Sequence, residues 1–583
     1  MSKPGSPRHI DNLLREAIEL QQNGAFAEAE TTYREILALR PRHFDALQLL
    51  GALALQQRRY EEGVTFLMQA LEIDARQAPV HSNLAFALNA LGRHDAALAA
   101  ANRALALKSG FVDARNNRGV ALAGLDRADE ALASFEKVLA AKPDFPEAWS
   151  NRSCALRDLG LPEEAVASCD RALALRPNYA EAWSNRANAL SDLNRPVDAQ
   201  ASYERALAAS PDFADAWNNL GLTFVDQNRH ADALACYERA LALSPDSAEP
   251  HWNRALCLLQ MGELAAGFAE YEWRWRRKRI APSQRRFDAP LWLGDAALDG
   301  KTILLHAEQG LGDTLQFCRY AALVAQRGAR VVLEVQPELK RLLAGLAGVH
   351  ELVASGEPLP AFDFHCPLLS LPLALRTVAS TIPADTPYLF ADAQAFARWR
   401  ARIESAAPQH ALRVGLVWAG GHRPHVPELR KNDARRSLSV ERFAPIIEVP
   451  GVQCFSLQKG EKAAQQLKAM RGHHEASRHV IDWTEEFTDF ADTAALVDNL
   501  DLVISVDTST AHLAGAMNTP VWILNRLDTC WRWMLEREDT PWYPSARLFR
   551  QPTPGDWQSV VMQVKRALQL HRFQSPTDSS SAS

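Results

Sequence analysis

The sequence predicts a helical-repeat solenoid followed by an α/β region of two parallel-sheet lobes, and three observations carry that expectation. Prolines and tryptophans recur at 34-residue steps in the first half (Pro143, Pro177, Pro211, Pro245; Trp149, Trp183, Trp217). After Pro290 the texture changes to short apolar runs alternating with helical patterns, as parallel strands joined by crossover helices require. Late in the chain "SVDTSTAHLAGAM" (505–517) leaves an apolar strand, passes through Asp, hydroxyls and a His, and resumes as a small-residue helix.

Within the repeat, Ala131, Ala165, Ala199 and Ala233 keep the period, as do Ala104, Ala172, Ala206 and Ala240, small side chains where two helices must approach closely. The run resembles tetratricopeptide repeats: Trp217, Leu220, Gly221, Ala233, Tyr237, Ala240 and Pro245 fill that family's signature positions. The resemblance spans residues 10–280 in about eight repeats, the first three and the last degenerate (Ala75 and Ser109 stand where proline is expected), as capping repeats often are. Residues 1–9 are expected to be disordered and 281–300 to be a linker.

One polar position also keeps the period. Asn83, Asn117, Asn151, Asn185, Asn219 and Asn253 recur on the first helix of six successive repeats, where helix propensity gives no reason for asparagine. An amide offers donors and an acceptor that match an extended peptide, and stacked repeats would align these side chains along one groove. The row resembles the asparagine ladder of O-linked N-acetylglucosamine transferases, which implies an acceptor protein or peptide as partner. Two other readings stand beside it: duplication of a neutral residue, or an amide that ties neighbouring repeats together. The basic stretch 271–286, "YEWRWRRKRIAPSQRR", reads as a solvated face or a junction docked on acidic surface.

Strands are expected at 302–308, 330–335, 412–420, 452–457, 501–506 and 520–524, in two groups. They suggest two Rossmann-like lobes, 301–395 and 412–572, with 396–411 between them, a cleft at their strand ends, and a final helix near 556–572 crossing back to the first lobe. The Ser-rich tail from 573 to 583 is expected to be disordered.

At 505–517 the strand-to-helix turn outlines a phosphate site, because a helix start offers free N–H groups and the positive end of its dipole. Ordinary capping by Thr508 or Ser509, with His512 packed on the helix, fits the same letters. The longer stretch "DLVISVDTSTAHLAGAMNTPVWIL" resembles the nucleotide-sugar loop of glycosyltransferase family 9, the ADP-heptose heptosyltransferases. That resemblance implies a GT-B-type glycosyltransferase in which Asp507 contacts the sugar, Thr508 and Ser509 offer backbone N–H groups to the diphosphate, and His512 lies beside it. "EQGLGDTLQF" resembles the same family's first Gly-Asp turn and implies that Asp313 is the general base, although Asp313 and Gln316 also have capping spacing. Arg436 is the expected cation at the departing diphosphate, with Lys431 and Arg435 as competitors. Lys459 and Gln458 are weaker candidates for the nucleotide pocket.

The fold class is therefore an α-solenoid of tetratricopeptide repeats followed by an α/β GT-B-type glycosyltransferase with two Rossmann-like lobes. The 64 Lys and Arg against 70 Asp and Glu leave a net charge of −6 and no concentrated positive field for nucleic acid. Eight scattered cysteines without a C-x-x-C pair suggest neither a disulfide framework nor a zinc site, and neither Asp-x-Asp nor H-E-x-x-H occurs. No signal-type leader or membrane span is read, so a cytoplasmic protein is expected. The expectation is an inverting transferase with a nucleotide-diphosphate sugar as co-substrate and no metal or cofactor, acting on a polypeptide. The family 9 resemblance alone favours a cell-envelope glycan acceptor, and a non-catalytic repeat scaffold is the other class.

Overall fold

The computed structural model describes residues 6–278, 280, 284–408, 410–421, 433–473 and 479–574. The chain divides into two compact units, Met1–Thr223 and Phe224–Ser583.

The first unit is a run of helices from Pro7–Gln22 to Pro196–Ala209, with a further helix opening at Ala214. Its period is visible in the backbone. Left-handed residues fall at Gly24, Arg58, Gly92, Asp126, Gly160 and Asn194, and the series continues in the second unit at Asn228 and Gly262. Each step is 34 residues, so all eight repeats end their first helix in the same way, including those whose signature residues have drifted. Gly, Asn and Asp take this conformation most readily, which is why they dominate the position. The periodic Trp and Pro act together: the indoles of Trp149, Trp183 and Trp217 donate to the carbonyls of Pro143, Pro177 and Pro211 at 2.9, 2.8 and 3.0 Å. The periodic alanines Ala131, Ala165, Ala172, Ala199 and Ala206 are fully buried.

The first helix starts at Pro7, ahead of the expected boundary at residue 10. Ser6 accepts the His9 N–H and proline occupies the first turn, so the helix is started by a cap and a fixed φ.

The second unit contains the helices His230–Leu243, Ala248–Gln260 and Leu264–Tyr271, then two parallel sheets. The first sheet comprises β1 (Thr302–His306), β2 (Arg330–Val335), β3 (Glu351–Ala354) and β4 (Phe364–Pro367), in the order β3-β2-β1-β4. The second comprises β5 (Leu412–Val417), β6 (Val452–Ser456), β7 (Val480–Asp482), β8 (Leu502–Val506), β9 (Val521–Asn525) and β10 (Ala546–Arg550). Its order, β10-β9-β8-β5-β6-β7, is that of an open, doubly wound parallel sheet, with the reversal between β5 and β8. The six strands expected from apolar runs are present; β3, β4, β7 and β10 are the edge strands flanking them.

One buried cluster joins Leu259, Leu264, Phe268 and Tyr271 of the last repeat helices to Ile303 and Leu305 of β1 and to Val503 of β8. This shared core explains why the compact unit begins at Phe224, inside the repeat pattern.

Three boundaries differ from the sequence reading. The stretch expected as a linker (281–300) docks from residue 284 onward: Leu291 bridges His365 beside β4, the Trp292 N–H donates to His365 O at 2.8 Å, and the Trp292 ring is fully buried. The interlobe segment is a helix, Ala393–Ala406, anchored by buried Trp399, which lies 5.6 Å from Trp483 and Phe487. The final helix, Trp557–Gln574, does not spend its apolar stripe on the first lobe. Val560, Val561, Val564 and Leu568 are buried in the core of the second sheet with Val414, Leu502 and Ile504. The Ser-rich tail from 575 lies outside the described residues.

Candidate functional site

The strand order reverses between β5 and β8, and the carboxyl ends of strands at such a reversal are where parallel α/β sheets usually receive ligands. Both ends are shaped by their own residues. After β5, the N–H groups of Trp418 and Ala419 donate to Gln458 Oε1 at 3.1 and 2.8 Å, and Gly420 N–H donates to Ser437 Oγ at 3.0 Å. Gln458 is thus bound to the β5 end. After β8, Asp507 and Thr508 turn the chain and the helix Ser509–Ala516 begins.

Thr508 stands at the N-cap with extended dihedrals (φ −143°, ψ 168°), but its side chain caps nothing. Its hydroxyl instead pairs with Ser505 Oγ at 2.9 Å. The opening N–H groups of a helix have no intrahelical acceptor, so here they keep their capacity to bind an anion. Asp507 and Ser509 are half-buried on either side of that N-cap.

Arg436 reaches this turn. Its Nη1 donates to Asp507 O at 2.9 Å and its Nη2 to Asp433 Oδ1 at 2.6 Å, while its buried Nε has no partner among the described residues. A Cβ on Gly420 would sit 2.4 Å from that Nε, so a larger residue there would displace the guanidinium from this position. The competing Arg435 is spent on Asp226 and Asp528 at 3.3 and 3.0 Å. Lys431 lies outside the described residues. Lys459 is exposed on the loop after β6, where its ammonium donates to Phe487 O.

His512 is buried, 3.0 Å from the Tyr543 hydroxyl and stacked on Trp533 at 5.2 Å. Burial, with Arg532 nearby, drives its pKa down to about 3, so the imidazole is neutral near pH 7. It serves as packing for the helix and brings no positive charge to an anion.

The facing element comes from β1. The chain leaves His306, turns through Glu308 and Gly310, and enters the helix Leu311–Phe317, which carries Asp313. A Cβ on Gly312 would lie 2.9 Å from His512 Cδ2 and 3.4 Å from Ser509 Cα. The Gly-Asp turn of the first sheet and the helix start of the second are therefore in van der Waals contact. Asp313 is not the N-cap that its spacing with Gln316 suggested: the helix is capped at Gly310, and Asp313, at the third helical position, accepts the Gly310 N–H at 2.9 Å while its second oxygen is paired with Arg532.

Sequence reasoning passed over the charged residues that surround this turn. Arg532 lies in the Trp-rich stretch read as a cover. Arg274 belongs to the basic stretch, yet it is wholly buried and donates to Glu272, Ser370 and Glu308 at 2.6, 2.6 and 3.1 Å. The stretch is thus a docked junction. A cation flanked by aromatics, as in "CWRWM" and "EWRWR", is the signal that would have marked both arginines as buried and paired.

Burial pushes the Glu308 carboxyl up to about 7, against the lowering effect of Arg274. A carboxyl whose folded pKa exceeds its unfolded value of 4.5 binds its proton more tightly in the native state. Its contribution is complete below pH 4.5 and is lost as pH rises to about 7. Wild-type protein should lose about 3 kcal/mol across that window from this group, and Glu308→Gln should flatten the slope in urea unfolding measured between those pH values. An unchanged slope would assign the pH dependence elsewhere.

The asparagine row is engaged between repeats. Asn117 Nδ2 donates to Ser82 O at 3.0 Å, Asn151 to Asn116 Oδ1 at 3.1 Å, Asn185 to Ser150 Oγ at 3.0 Å and Asn219 to Asn188 Oδ1 at 3.3 Å. Asn83 is exposed on the helix Ala78–Ala90, and Asn253 is half-buried on Ala248–Gln260. The tie between neighbouring repeats is therefore real for Asn117, Asn151, Asn185 and Asn219. Replacing Asn117, Asn151 and Asn185 together by alanine should lower solenoid stability by about 3 kcal/mol, at about 1 kcal/mol per hydrogen bond, read as a fall in the urea midpoint.

Models of the tetratricopeptide repeat match residues 20–85, 83–146, 117–180, 184–248 and 220–284, and the chain carries these repeats over that stretch. Among curated proteins, the chain is similar to Protein FlbA of Caulobacter vibrioides, 28% identical over 340 residues that cover 54% of each chain. It thus spans about half the length of that relative. Among solved structures, a tetratricopeptide repeat protein from Parabacteroides merdae is 17% identical, with a TM-score of 0.38 over 43% of this chain and 99% of its own. A thermophilic TPR protein in Thermus thermophilus is 26% identical, with a TM-score of 0.30 over 31% of this chain and 100% of its own. Among the described residues no helix is long and apolar enough to cross a membrane, and no group of three or more His, Cys, Asp or Glu side chains could hold a metal ion.

Proposed function

We propose that this chain is an inverting glycosyltransferase of GT-B type, resembling family 9, that moves a sugar from a nucleotide-diphosphate donor to a polypeptide. The observation that supports this most is the contact of Gly312 with Ser509 and His512. It sets the carboxylate-bearing turn of one parallel sheet against an uncapped helix start at the switch point of the other. In this reading the diphosphate lies on the N–H groups at Thr508 and Ser509, with Arg436 beside it and Asp507 toward the sugar. Asp313 takes the proton of the acceptor hydroxyl as its oxygen attacks the anomeric carbon. The bond from that carbon to phosphate breaks, and the nucleoside diphosphate leaves toward Arg436 and the helix dipole. The donor needs no further reactant, and the chain's own residues supply the base and the charge stabilisation.

The repeats would supply the acceptor, since tetratricopeptide solenoids commonly bind peptides. Because the amides of Asn117, Asn151 and Asn185 already donate to the preceding repeat, their carbonyl oxygens are the groups assigned to peptide N–H. Incubation with a panel of nucleotide sugars and a cell extract tests the whole reading. Nucleoside diphosphate release with label on protein is the expected result; label on glycan would move the acceptor to the cell envelope.

A non-catalytic scaffold is the second reading, favoured by one observation: both Asp313 oxygens already have partners. In that case the extract assay gives no release with any sugar nucleotide, while the repeats still capture protein.

A further inference from the structure

We infer that Arg532 is a positioning residue for the Asp313 carboxylate, and that the last repeat hairpins fix its place by gripping the loop that carries it. The inference rests on the transferase reading for its catalytic consequence and on the structure alone for the linkage.

The linkage is a continuous series of contacts. In the helix His230–Leu243, His230 Nε2 lies 3.2 Å from Gln260 Oε1, which fixes the orientation of the Gln260 amide. Gln260 Nε2 then donates to Thr529 O at 2.6 Å, across 269 residues of sequence. Two residues beyond Cys530 the same loop presents Arg532, whose Nε donates to Gln316 Oε1 at 2.7 Å and whose Nη2 pairs with Asp313. Trp531 seats the loop from the same side, with its ring 5.6 Å from Phe268 and 6.5 Å from Tyr271 of the repeat end and 6.2 Å from Phe317 of the Asp313 helix.

Arg532 is 8% exposed, so its guanidinium cannot turn to water without unpacking the loop. With Nε donating to Gln316 Oε1 and Nη1 to Cys530 Sγ at 3.3 Å, the plane of the guanidinium is fixed, and its Nη2 is directed at the Asp313 oxygen. The Gly310 N–H fixes the second oxygen. The carboxylate is therefore oriented from both sides, one of them supplied by the last third of the chain and referred through Thr529 to the repeats. Displacement of the last repeat hairpins, which carry His230 and Gln260, thus has a direct mechanical route to the proposed base.

Arg532→Gln, Arg532→Lys, Gln260→Ala and the double variant Gln260→Ala/Arg532→Gln in the full chain test this. For Arg532→Gln, kcat should fall about 10²-fold, the loss expected from an ångström-scale misplacement, with donor Kd within about twofold of wild type. Arg532→Lys, which keeps the charge and the fold, should recover part of kcat. Gln260→Ala should lose less, and the double variant no more than Arg532→Gln alone. Multiplicative losses, or a change confined to KM, would overturn the inference. Amide exchange read by mass spectrometry supplies an arm independent of activity: exchange over 311–317 should quicken in Arg532→Gln and in Gln260→Ala, and unchanged exchange there would overturn the linkage. A wild-type chain that turns over no sugar nucleotide sinks the transferase reading, while the exchange arm still decides the linkage.

Discussion

Asp313→Asn should bind nucleotide sugar with wild-type affinity and turn over about 10² to 10⁴ times more slowly, the range that a positioned base contributes. The substitution keeps the shape of the side chain, and its carbonyl can still accept either the Gly310 N–H or an Arg532 N–H, so the turn keeps most of its contacts. What is removed is the ability to take a proton. Donor binding should be read by calorimetry with the nucleoside diphosphate, and turnover by product release. Retained turnover would remove Asp313 from the chemistry and leave it as a cap. Loss of both readouts would instead show that the Arg532 pair holds the site together.

Arg274→Met should be the most destabilising single change considered, at about 3 to 5 kcal/mol near pH 8, because it leaves a buried carboxylate without its partner. Arg274 is wholly buried, and the Glu308 side chain beside it is 5% exposed. The sign of the pH dependence is fixed by Glu308. Below its folded pKa of about 7 the carboxyl takes up a proton and no longer requires the guanidinium, so the loss should shrink on going from pH 8 to pH 5.5. Arg274→Met/Glu308→Gln should recover part of the loss at pH 8. Urea unfolding of the four proteins at both pH values measures this, and an equal loss at both would show that packing of Arg274 against Tyr271 and Trp275, with the guanidinium 5.0 and 4.5 Å from the rings, matters more than charge.

Much of the fold was legible because its signals are local and periodic. A 34-residue step survives in Pro, Trp and Ala even where single repeats have drifted; the periodic indoles turn out to donate to proline carbonyls six residues back, and the periodic alanines to be buried. The central strands were legible because strands buried on both faces must be continuous apolar runs. The flanking strands β7 and β10 were not, since β7 spans three residues (Val480–Asp482) and β10 is interrupted by Arg547. The linker was misread for a related reason: 281–300 has no period, and its largest apolar anchor, Trp292, shows its value only once the β4 edge is in place.

The candidate site divides in the same way. Asp507, Thr508 and Ser509 could be read from the letters, because a strand end followed by a helix start is a local event, and so could Gly310 and Asp313. Arg436 was selected among three cations on sequence, and its hydrogen bond to Asp507 O joins residues 71 positions apart. Nothing in the letters joined Asp313 to Arg532, 219 residues away, or Arg274 to Glu308.

The sequence by itself determined the repeats, the order of the parallel strands along the chain, and the two turns that carry the proposed chemistry, since each is set by spacing and backbone preference over a few residues. Only the tertiary structure decided which charges meet, that the repeat end shares the core of the α/β unit, and that His512 is neutral packing. The physical reason is that burial and ion pairing depend on distances between segments far apart in the chain, and a side chain acquires its charge state and its partner only when those segments are packed together.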